Sequence, residues 1–260
     1  MISQDAPYTV RLARDARDLR AAQRLRYHVF VSELGASGPM VDHENQLERD
    51  EFDPIFDHLL LIDPNGDPTA LADVVGVYRL LPDDRMTHLG RYYSETEYDL
   101  DVLKSSGRRL LELGRSCVHP NHRGGAAMYF MWNALAEYVV ARGIEVMFGV
   151  ASFHGTNAPG LAQSLSYLYH FHLAPPALRV QARPAQRQDM ALIPRAELDA
   201  KIALAGTPAL IKAYLRLGGF VGDGAWIDRA FNTTDVCLLM DTANMSDKHR
   251  AFYLRKQGRT

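Results

Sequence analysis

The chain has 260 residues, enough to bury the core of one large domain, and its 47% hydrophobic and 23% charged residues are ordinary for a globular protein. Lys+Arg (29) and Asp+Glu (31) nearly balance, so the net charge of −2 excludes the bulk basicity of a nucleic-acid-binding protein. Two cysteines, Cys117 and Cys237, are too few for a disulfide framework or a zinc cluster. The sequence has no signal peptide and no run of ~20 apolar residues. We therefore predict a cytoplasmic protein and leave peripheral contact with the inner membrane face open.

The first part of the chain alternates predicted strands with one amphipathic helix. YTVRLA (8–13) predicts a short strand, and HLLLI (58–62) pairs with DVVGVYRLL (73–81) across turn residues. Arg26 falls on the apolar face of the helix, which leaves open whether it is solvated. That helix starts after Asp15 and carries Leu19, Ala22, Leu25, Val29 and Phe30 on one face.

From residue 108 onward, predicted strands and helices interleave. The pattern predicts a strand over 108–118, a helix over 126–143, a central strand over 144–152, a helix after Pro159, a helix over 208–219 and a buried strand over 235–241, with a looser stretch between 177 and 198. We therefore predict one domain over 1–260 of the α/β (α+β) class, with a central mixed sheet flanked by helices. Its end, 242–260, is predicted to be a basic, mobile tail.

Two charges interrupt the predicted strand over 108–118. Glu112 and Arg115 stand in an apolar run, and a charge inside a core is costly unless it is paired. Strict alternation puts residues three apart on opposite faces, but a bulge at Gly114 would let both line one site. Partial burial suits Glu112 to general-base chemistry. The alternative is an ion pair with Arg79 or Arg115 that only stabilises the sheet.

A loop rich in cations and glycine follows this strand. His122, Arg123, Gly124 and Gly125 stand just before a predicted helix, where free backbone N–H groups and the helix dipole favour an anion. The loop lacks the lysine and spacing of a P-loop, and GxGxxG is absent, which argues against ATP and dinucleotides. A plain turn with solvated side chains at His122 and Arg123 stays open.

The segment ENQLERDEFDPIFDHLLL (44–61) is dense in acids just before a strand. Phe52 and Phe56 interrupt the charges and anchor the segment to the core. The carboxylates could face a cation, but their spacing does not match a Ca²⁺-binding EF-hand loop, so we predict no metal site. The acids are Glu44, Glu48, Asp50, Glu51, Asp53 and Asp57.

Four motifs, in this order, resemble the acyl-homoserine-lactone synthases and their relatives: RLRYHVF (24–30), ERDEFD (48–53), GVYRLLP (76–82) and ELGRS (112–116). Those are GNAT-fold enzymes that take acyl chains from acyl carrier protein. One position departs from the synthases, which have Trp where this chain has Ala36. The resemblance implies that an ionic cluster around the acyl-transfer site includes Arg26, Phe30, Asp50, Asp53, Arg79, Glu112 and Arg115.

The later stretch PALIKAYLRLGGFVGDGAWIDRAFNTTDVCLLMD (208–241) resembles the ornithine N-acyltransferases of ornithine-lipid synthesis, and this likeness spans nearly the whole chain. It implies a GNAT-like enzyme that transfers a 3-hydroxyacyl group from acyl carrier protein to the α-amine of L-ornithine, giving lyso-ornithine lipid. No ATP, metal or other cofactor is implied beyond the phosphopantetheine that the donor carries.

The resemblance also suggests a role for each charged residue. Glu112 would accept the amine's proton, and the loop over 122–125 would hold the phosphodiester of phosphopantetheine. Asp50 and Asp53 fit the ammonium groups of ornithine, whereas Arg26 or Arg79 fits its carboxylate in a bidentate manner.

Two other functions stay open. One is another N-acyl amino acid synthase that uses acyl carrier protein, including an acyl-homoserine-lactone synthase. Ala36 argues against the lactone synthase, because those enzymes have Trp at this position. The other is a non-enzymatic module that binds a carrier protein or a membrane through the basic tail with Phe252, Tyr253 and Leu254. Such a module would have no need of Glu112 inside its strand.

Overall fold

The structure, a computed structural model, describes residues 8–86 and 89–244. The chain divides into two compact units: an amino-terminal unit, up to Leu89 together with Leu113–Gly143, and a carboxy-terminal unit, Gly90–Glu112 together with the chain from Ile144 onward. The single domain over 1–260 stays a prediction. Of the predicted tail over 242–260, Thr242–Asn244 form a 3₁₀ turn, and 245–260 lie outside the described residues.

Most predicted elements are confirmed. The described strands are β1 (Thr9–Leu12), β2 (Asp57–Ile62), β3 (Val74–Pro82), β4 (Tyr98–Asp99), β5 (Leu110–Val118), β6 (Val146–His154), β7 (Gln181–Ala182), β8 (Arg187–Gln188), β9 (Phe220–Val221), β10 (Ala225–Asp228) and β11 (Thr233–Asp241). The described helices are α1 (Ala16–Arg26), α2 (Asp101–Lys104), α3 (Ala127–Ala141), α4 (Ala162–His172), α5 (Ala200–Gly206) and α6 (Ala209–Arg216). The pattern missed β4, α2, α5 and the shortest strands, because two to seven residues are too few to show a period clearly.

In the amino-terminal unit, β1, β2 and β3 pair antiparallel in that order, and β5 lies next to β3. The Asp15 carboxylate accepts a hydrogen bond from the Asp18 N–H at 2.9 Å and so starts α1, as predicted. One face of α1 packs against β2 and β3, because its apolar residues recur at three- and four-residue spacing. This core contains Ala21, Ala22, Leu25, Val29, Leu60, Val74, Val77 and Cys117.

The first helix changes its winding after Arg26. It continues as a π-helix over Tyr27–Glu33, a form that is rare in proteins and recurs at functional sites. Phe30 lies in this turn and packs, half-buried, against the core below α1.

In the carboxy-terminal unit, the start of β5 pairs parallel with β6, from Leu110 opposite Val146 to Glu112 opposite Phe148. The next strands are β11, β10 and β8, all antiparallel to their neighbours, and β9 also pairs with β11. One parallel pair among antiparallel ones makes the sheet mixed, as predicted. β6 lies between β5 and β11, which confirms the prediction that the strand over 144–152 is central.

No helix within the described ranges 8–86 and 89–244 has the length and apolar character needed to cross a bilayer.

Candidate active site

Charged side chains in the amino-terminal unit form ion pairs with one another. Arg26, the last residue of α1, pairs with Glu48 and donates from Nη1 to Asp53 Oδ1 at 2.5 Å. Arg79, in β3, donates from Nη1 to the same Asp53 oxygen at 2.9 Å and to Asp50 Oδ1 at 2.7 Å. The acidic segment before β2 is therefore tied to both α1 and β3.

Arg115 closes these pairs into a ring, which we call the charge ring. Its Nε donates to Glu48 Oε1 at 3.2 Å, and its Nη2 donates to Asp50 Oδ2 at 3.4 Å. Each member thereby has two oppositely charged neighbours. The order around the ring is Arg26, Glu48, Arg115, Asp50, Arg79 and Asp53.

Arg115 also breaks the regularity of β5. Its φ is 49°, in the left-handed region, one residue after the glycine at which we expected a bulge. For a residue with a Cβ this conformation costs roughly 1–2 kcal/mol, and the ion pairs of Arg115 help to hold it. Because the alternation of side chains is interrupted at Arg115, the spacing of three residues does not show whether Glu112 and Arg115 lie on the same face of the sheet.

The charge ring is almost fully buried, since Arg26 and Arg79 are 0% exposed and Glu48 and Asp53 only 2% and 4%. Burial raises the pKa of a carboxyl group, but here the arginines of the ring outweigh it. They hold the pKa values of Glu48 and Asp50 below the ordinary ones, and that of Asp53 well below. The three acids therefore stay ionised at neutral pH.

Further side chains support the ring. Gln23 Nε2 donates to Asp53 Oδ2 at 2.9 Å, and His58 Nε2 donates to the Asp53 carbonyl oxygen at 2.9 Å. The Arg79 guanidinium lies 4.5 Å from the centre of the Phe56 ring. The sequence reasoning missed Glu48, Gln23 and His58 as members of this site, because neither spacing nor composition distinguishes them from solvated residues.

The structure brings together five of the predicted substrate-binding residues, and their charges are compensated by ion pairs within the charge ring. Arg26, Arg79 and Asp53 have at most 4% exposed surface. Asp50 and Arg115 have side chains that are 17% and 11% exposed, so a substrate group reaches this part of the ring most easily. Phe30, the sixth such residue, lies in the adjoining core. Their roles toward ornithine stay predictions.

Glu112 lies in the carboxy-terminal unit and is 1% exposed. Its two carboxylate oxygens accept hydrogen bonds from the backbone N–H groups of Tyr93, at 2.8 Å, and Ser94, at 2.6 Å. These residues begin the 3₁₀ turn Tyr93–Thr96. Glu112 therefore anchors this turn, a contact that the sequence did not suggest, and its role as a base stays a prediction.

The predicted donor loop leads directly into α3. Gly124 has a φ of 77°, and α3 begins at Ala127 with neither an acidic residue in its first turn nor a side-chain cap from the described residues. A helix start of this kind favours an anion. Arg123 is held by Glu33, through bonds of 2.6 and 2.7 Å, and donates from Nε to the Val118 carbonyl at 2.9 Å.

A cavity of ≈ 430 Å³ in the same unit is lined by Arg24 and three histidines. The rings of His28 and His119 stack at 4.9 Å, and His122 lies edge-on to His119 at 5.7 Å. Burial, together with His28 and His122, lowers the pKa of His119 below its ordinary value. His122 of the predicted donor loop therefore faces a cavity in which Arg24 supplies a permanent positive charge.

Comparisons with known proteins agree with this fold. Residues 25–133 match the family described as acetyltransferase (GNAT) domain. The chain is 61% identical to the L-ornithine N(alpha)-acyltransferase of Rhodobacter capsulatus over 98% of each chain. It is 40% identical to that of Brucella abortus over 94% of this chain and 88% of the other. The solved structure of FeeM, an N-acyl amino acid synthase from uncultured soil microbes, matches with a TM-score of 0.52 at 10% identity over 91% and 92% of the two chains. The predicted GNAT-like fold is confirmed.

We expect Arg26→Met to lower the free energy of unfolding by about 3–5 kcal/mol, because Glu48 and Asp53 would stay buried without this counter-charge. Arg20→Met, at an exposed position of the same helix, serves as the control and should change it by less than about 0.5 kcal/mol. Urea denaturation at pH 7 measures both. Equal stabilities of the two variants would contradict the structural role of the charge ring.

The stability should also depend on pH through His58. Burial, with a smaller contribution from Arg26 and Arg79, lowers the pKa of His58 to about 4. In the unfolded chain it is about 6.5, so between these values the unfolded state binds more protons than the folded state. The free energy of unfolding should therefore fall by about 3 kcal/mol as the pH drops from 6.5 to 4.

His58→Gln removes this titration and should flatten the dependence in that window. Below about pH 4 the free energy of unfolding should fall further in both the wild type and His58→Gln. The acids of the charge ring cause this fall, because their pKa values are lower in the folded state than in the unfolded state. Urea denaturation at half-unit pH steps provides the measurement. Parallel curves for the wild type and His58→Gln between pH 6.5 and 4.5 would refute the assignment.

Proposed function

Because the chain belongs to the family of L-ornithine N(alpha)-acyltransferases, we propose that it transfers a 3-hydroxyacyl group from acyl carrier protein to the α-amine of L-ornithine. The observation that carries the acceptor and the bond formed is the 61% identity over 98% of the chain. The acyl carrier protein and the 3-hydroxyl group follow from the family resemblance. The product is a lyso-ornithine lipid.

The reaction converts a thioester into an amide. The neutral α-amine attacks the thioester carbonyl, a C–N bond forms, the C–S bond breaks, and the amine's proton must leave as the thiol of phosphopantetheine is released. We assign Glu112 as the base. A carboxylate has about four lone-pair sites, so accepting the N–H groups of Tyr93 and Ser94 does not by itself prevent Glu112 from taking the amine's proton, directly or through one bridging water.

The donor's phosphodiester needs a positive, hydrogen-bonding environment. The N–H groups at the start of α3 and the cavity lined by Arg24 and His122 provide one, which supports the predicted donor loop over 122–125. The Arg123 guanidinium is paired with Glu33. To bind the donor's phosphate or an acidic surface of the carrier protein, it would have to leave Glu33.

The function is tested by incubating the purified protein with 3-hydroxyacyl carrier protein and L-ornithine, or each common amino acid in turn, followed by mass spectrometry. We expect N-acylornithine alone. A second arm offers the acyl group on coenzyme A, which carries the same phosphopantetheine without the protein. Acylation of another amino acid in preference to ornithine would overturn the proposal, and faster turnover with coenzyme A would overturn the donor.

We expect Glu112→Gln to lower kcat about 100-fold or more, within the ~10²–10⁴ range of general-base effects. Because a glutamine amide would face one of the two backbone N–H groups, turnover must be expressed per folded molecule, using thermal melting. Raising the pH should partly restore the rate by supplying neutral amine. Glu197→Gln, at an exposed position, is the control. A lowered melting temperature with normal turnover per folded molecule would leave Glu112 only the anchoring role.

We expect Arg123→Glu to raise KM for the acyl carrier protein about tenfold at low salt, with the difference shrinking as ionic strength increases. Glu33→Gln is the matched control, because it breaks the same ion pair but keeps the cation. It should leave KM unchanged or lower it. If both variants raise KM equally, the pair only shapes the loop and Arg123 does not contact the donor.

A further inference from the structure

The carboxy-terminal unit contains a cavity that the proposed roles above do not use. Its volume is ≈ 300 Å³, at the lower end of the range of roughly 300–1,000 Å³ typical of small-molecule sites. One wall comes from the turn Tyr93–Thr96 and the following Glu97. The rest of the lining comes from Gln186 and from β10 with the residue after it, and includes Trp226, Asp228 and Arg229.

Acidic side chains are concentrated at this cavity. Glu97 and Asp228 line it, and their carboxylate oxygens lie within 4.8 Å of each other and of an oxygen of Asp235. Glu97 and Asp235 are each only 4% exposed. Carboxylates this close to one another favour a positively charged group beside them. Tyr93 and Trp226 also line the cavity, and aromatic rings can stabilise a cation.

The cavity is connected to the proposed base by one short turn. The N–H groups of Tyr93 and Ser94 bind the Glu112 carboxylate, and Tyr93 and Thr96 of the same turn line the cavity. A molecule bound in the cavity therefore lies against the segment that Glu112 anchors. On the rim, the exposed guanidinium of Arg229 suits a carboxylate.

We propose that this cavity binds the acceptor amino acid, with Glu97 and Asp228 holding the ammonium group of its side chain and Arg229 its carboxylate. The inference rests on the proposed acyl transfer to L-ornithine. It replaces the roles in ornithine binding that the sequence predicted for members of the charge ring, and it names the residues that select the acceptor. A side-chain ammonium held between carboxylates keeps its proton and cannot attack a thioester. The α-amine is then the amine left to react, which gives a physical reason for acylation at the α position.

The test compares L-ornithine with L-norvaline, which has the same carbon skeleton but lacks the side-chain amine. Asp228→Asn is the key variant, because Asp228 Oδ1 accepts bonds from the N–H groups of Ala230 and Phe231 at 2.8 and 3.0 Å, and asparagine can keep both. Glu97→Gln is a second variant of the cavity lining and is measured in the same way. The matched control is Asp189→Asn, an exposed residue that does not line the cavity.

We expect Asp228→Asn to raise the Kd for L-ornithine, measured by calorimetry without donor, and the KM in turnover by about 10- to 100-fold. The Kd for L-norvaline should change by less than about twofold, since it lacks the charge that the carboxylate binds. Equal losses for the two ligands, or unchanged ornithine binding in both cavity variants when they are folded, would overturn the inference.

Two further outcomes separate this inference from the proposed function. If the wild type binds L-ornithine in the cavity but does not acylate it, the proposed function fails and the binding site stands. If the wild type acylates ornithine with a KM that the cavity variants leave unchanged, the site fails and the function stands. Calcium and magnesium chloride are titrated in parallel, and a metal affinity that Asp228→Asn abolishes while ornithine binding persists would also overturn the inference.

Discussion

Six alternating charges in a closed ring are the constraint on which the amino-terminal unit depends. A buried guanidinium or carboxylate is costly without an opposite charge, and in the charge ring each has two. The ring therefore fixes, relative to one another, the end of α1, the irregular segment over 48–53, strand β3 and the left-handed residue in β5. Loss of one member leaves each of its two neighbours with a single counter-charge, so the arrangement favours one geometry over its alternatives more than it adds net stability.

Strand β5 contains both the proposed base, Glu112, and a member of the charge ring, Arg115. Its first residues, up to Glu112, belong to the carboxy-terminal unit, and the following ones, including Arg115, belong to the amino-terminal unit. Glu112 binds backbone N–H groups of a turn, whereas Arg115 binds carboxylates of the charge ring. The left-handed φ of Arg115 ends the regular alternation between them. Two charges within one apolar strand are thus tolerated because each has its own set of polar partners.

The proposed reaction needs a donor anion, a base and an acceptor with two amines, and the structure offers a separate environment for each. The start of α3 and a histidine-lined cavity provide positive potential for a phosphodiester. Glu112 is held at a fixed position by two N–H groups, and the turn that it anchors forms a wall of an acidic cavity. Binding the side-chain ammonium there and deprotonating only the α-amine would let one substrate with two amines react at one of them.

The long elements could be predicted from the sequence, because α1, α3, β3, β5, β6 and β11 are long enough for their apolar period to show. The ordered charged motifs also identified the acyltransferase family. The sequence also singled out Arg26, Asp50, Asp53, Arg79, Glu112 and Arg115. Tertiary structure alone decided which charges pair. Glu48, Gln23 and His58 join the site, and Glu112 meets the turn at Tyr93, through contacts between residues far apart in the chain. Local pattern reports which face of an element is apolar, but ion pairs and cavities depend on where distant segments meet.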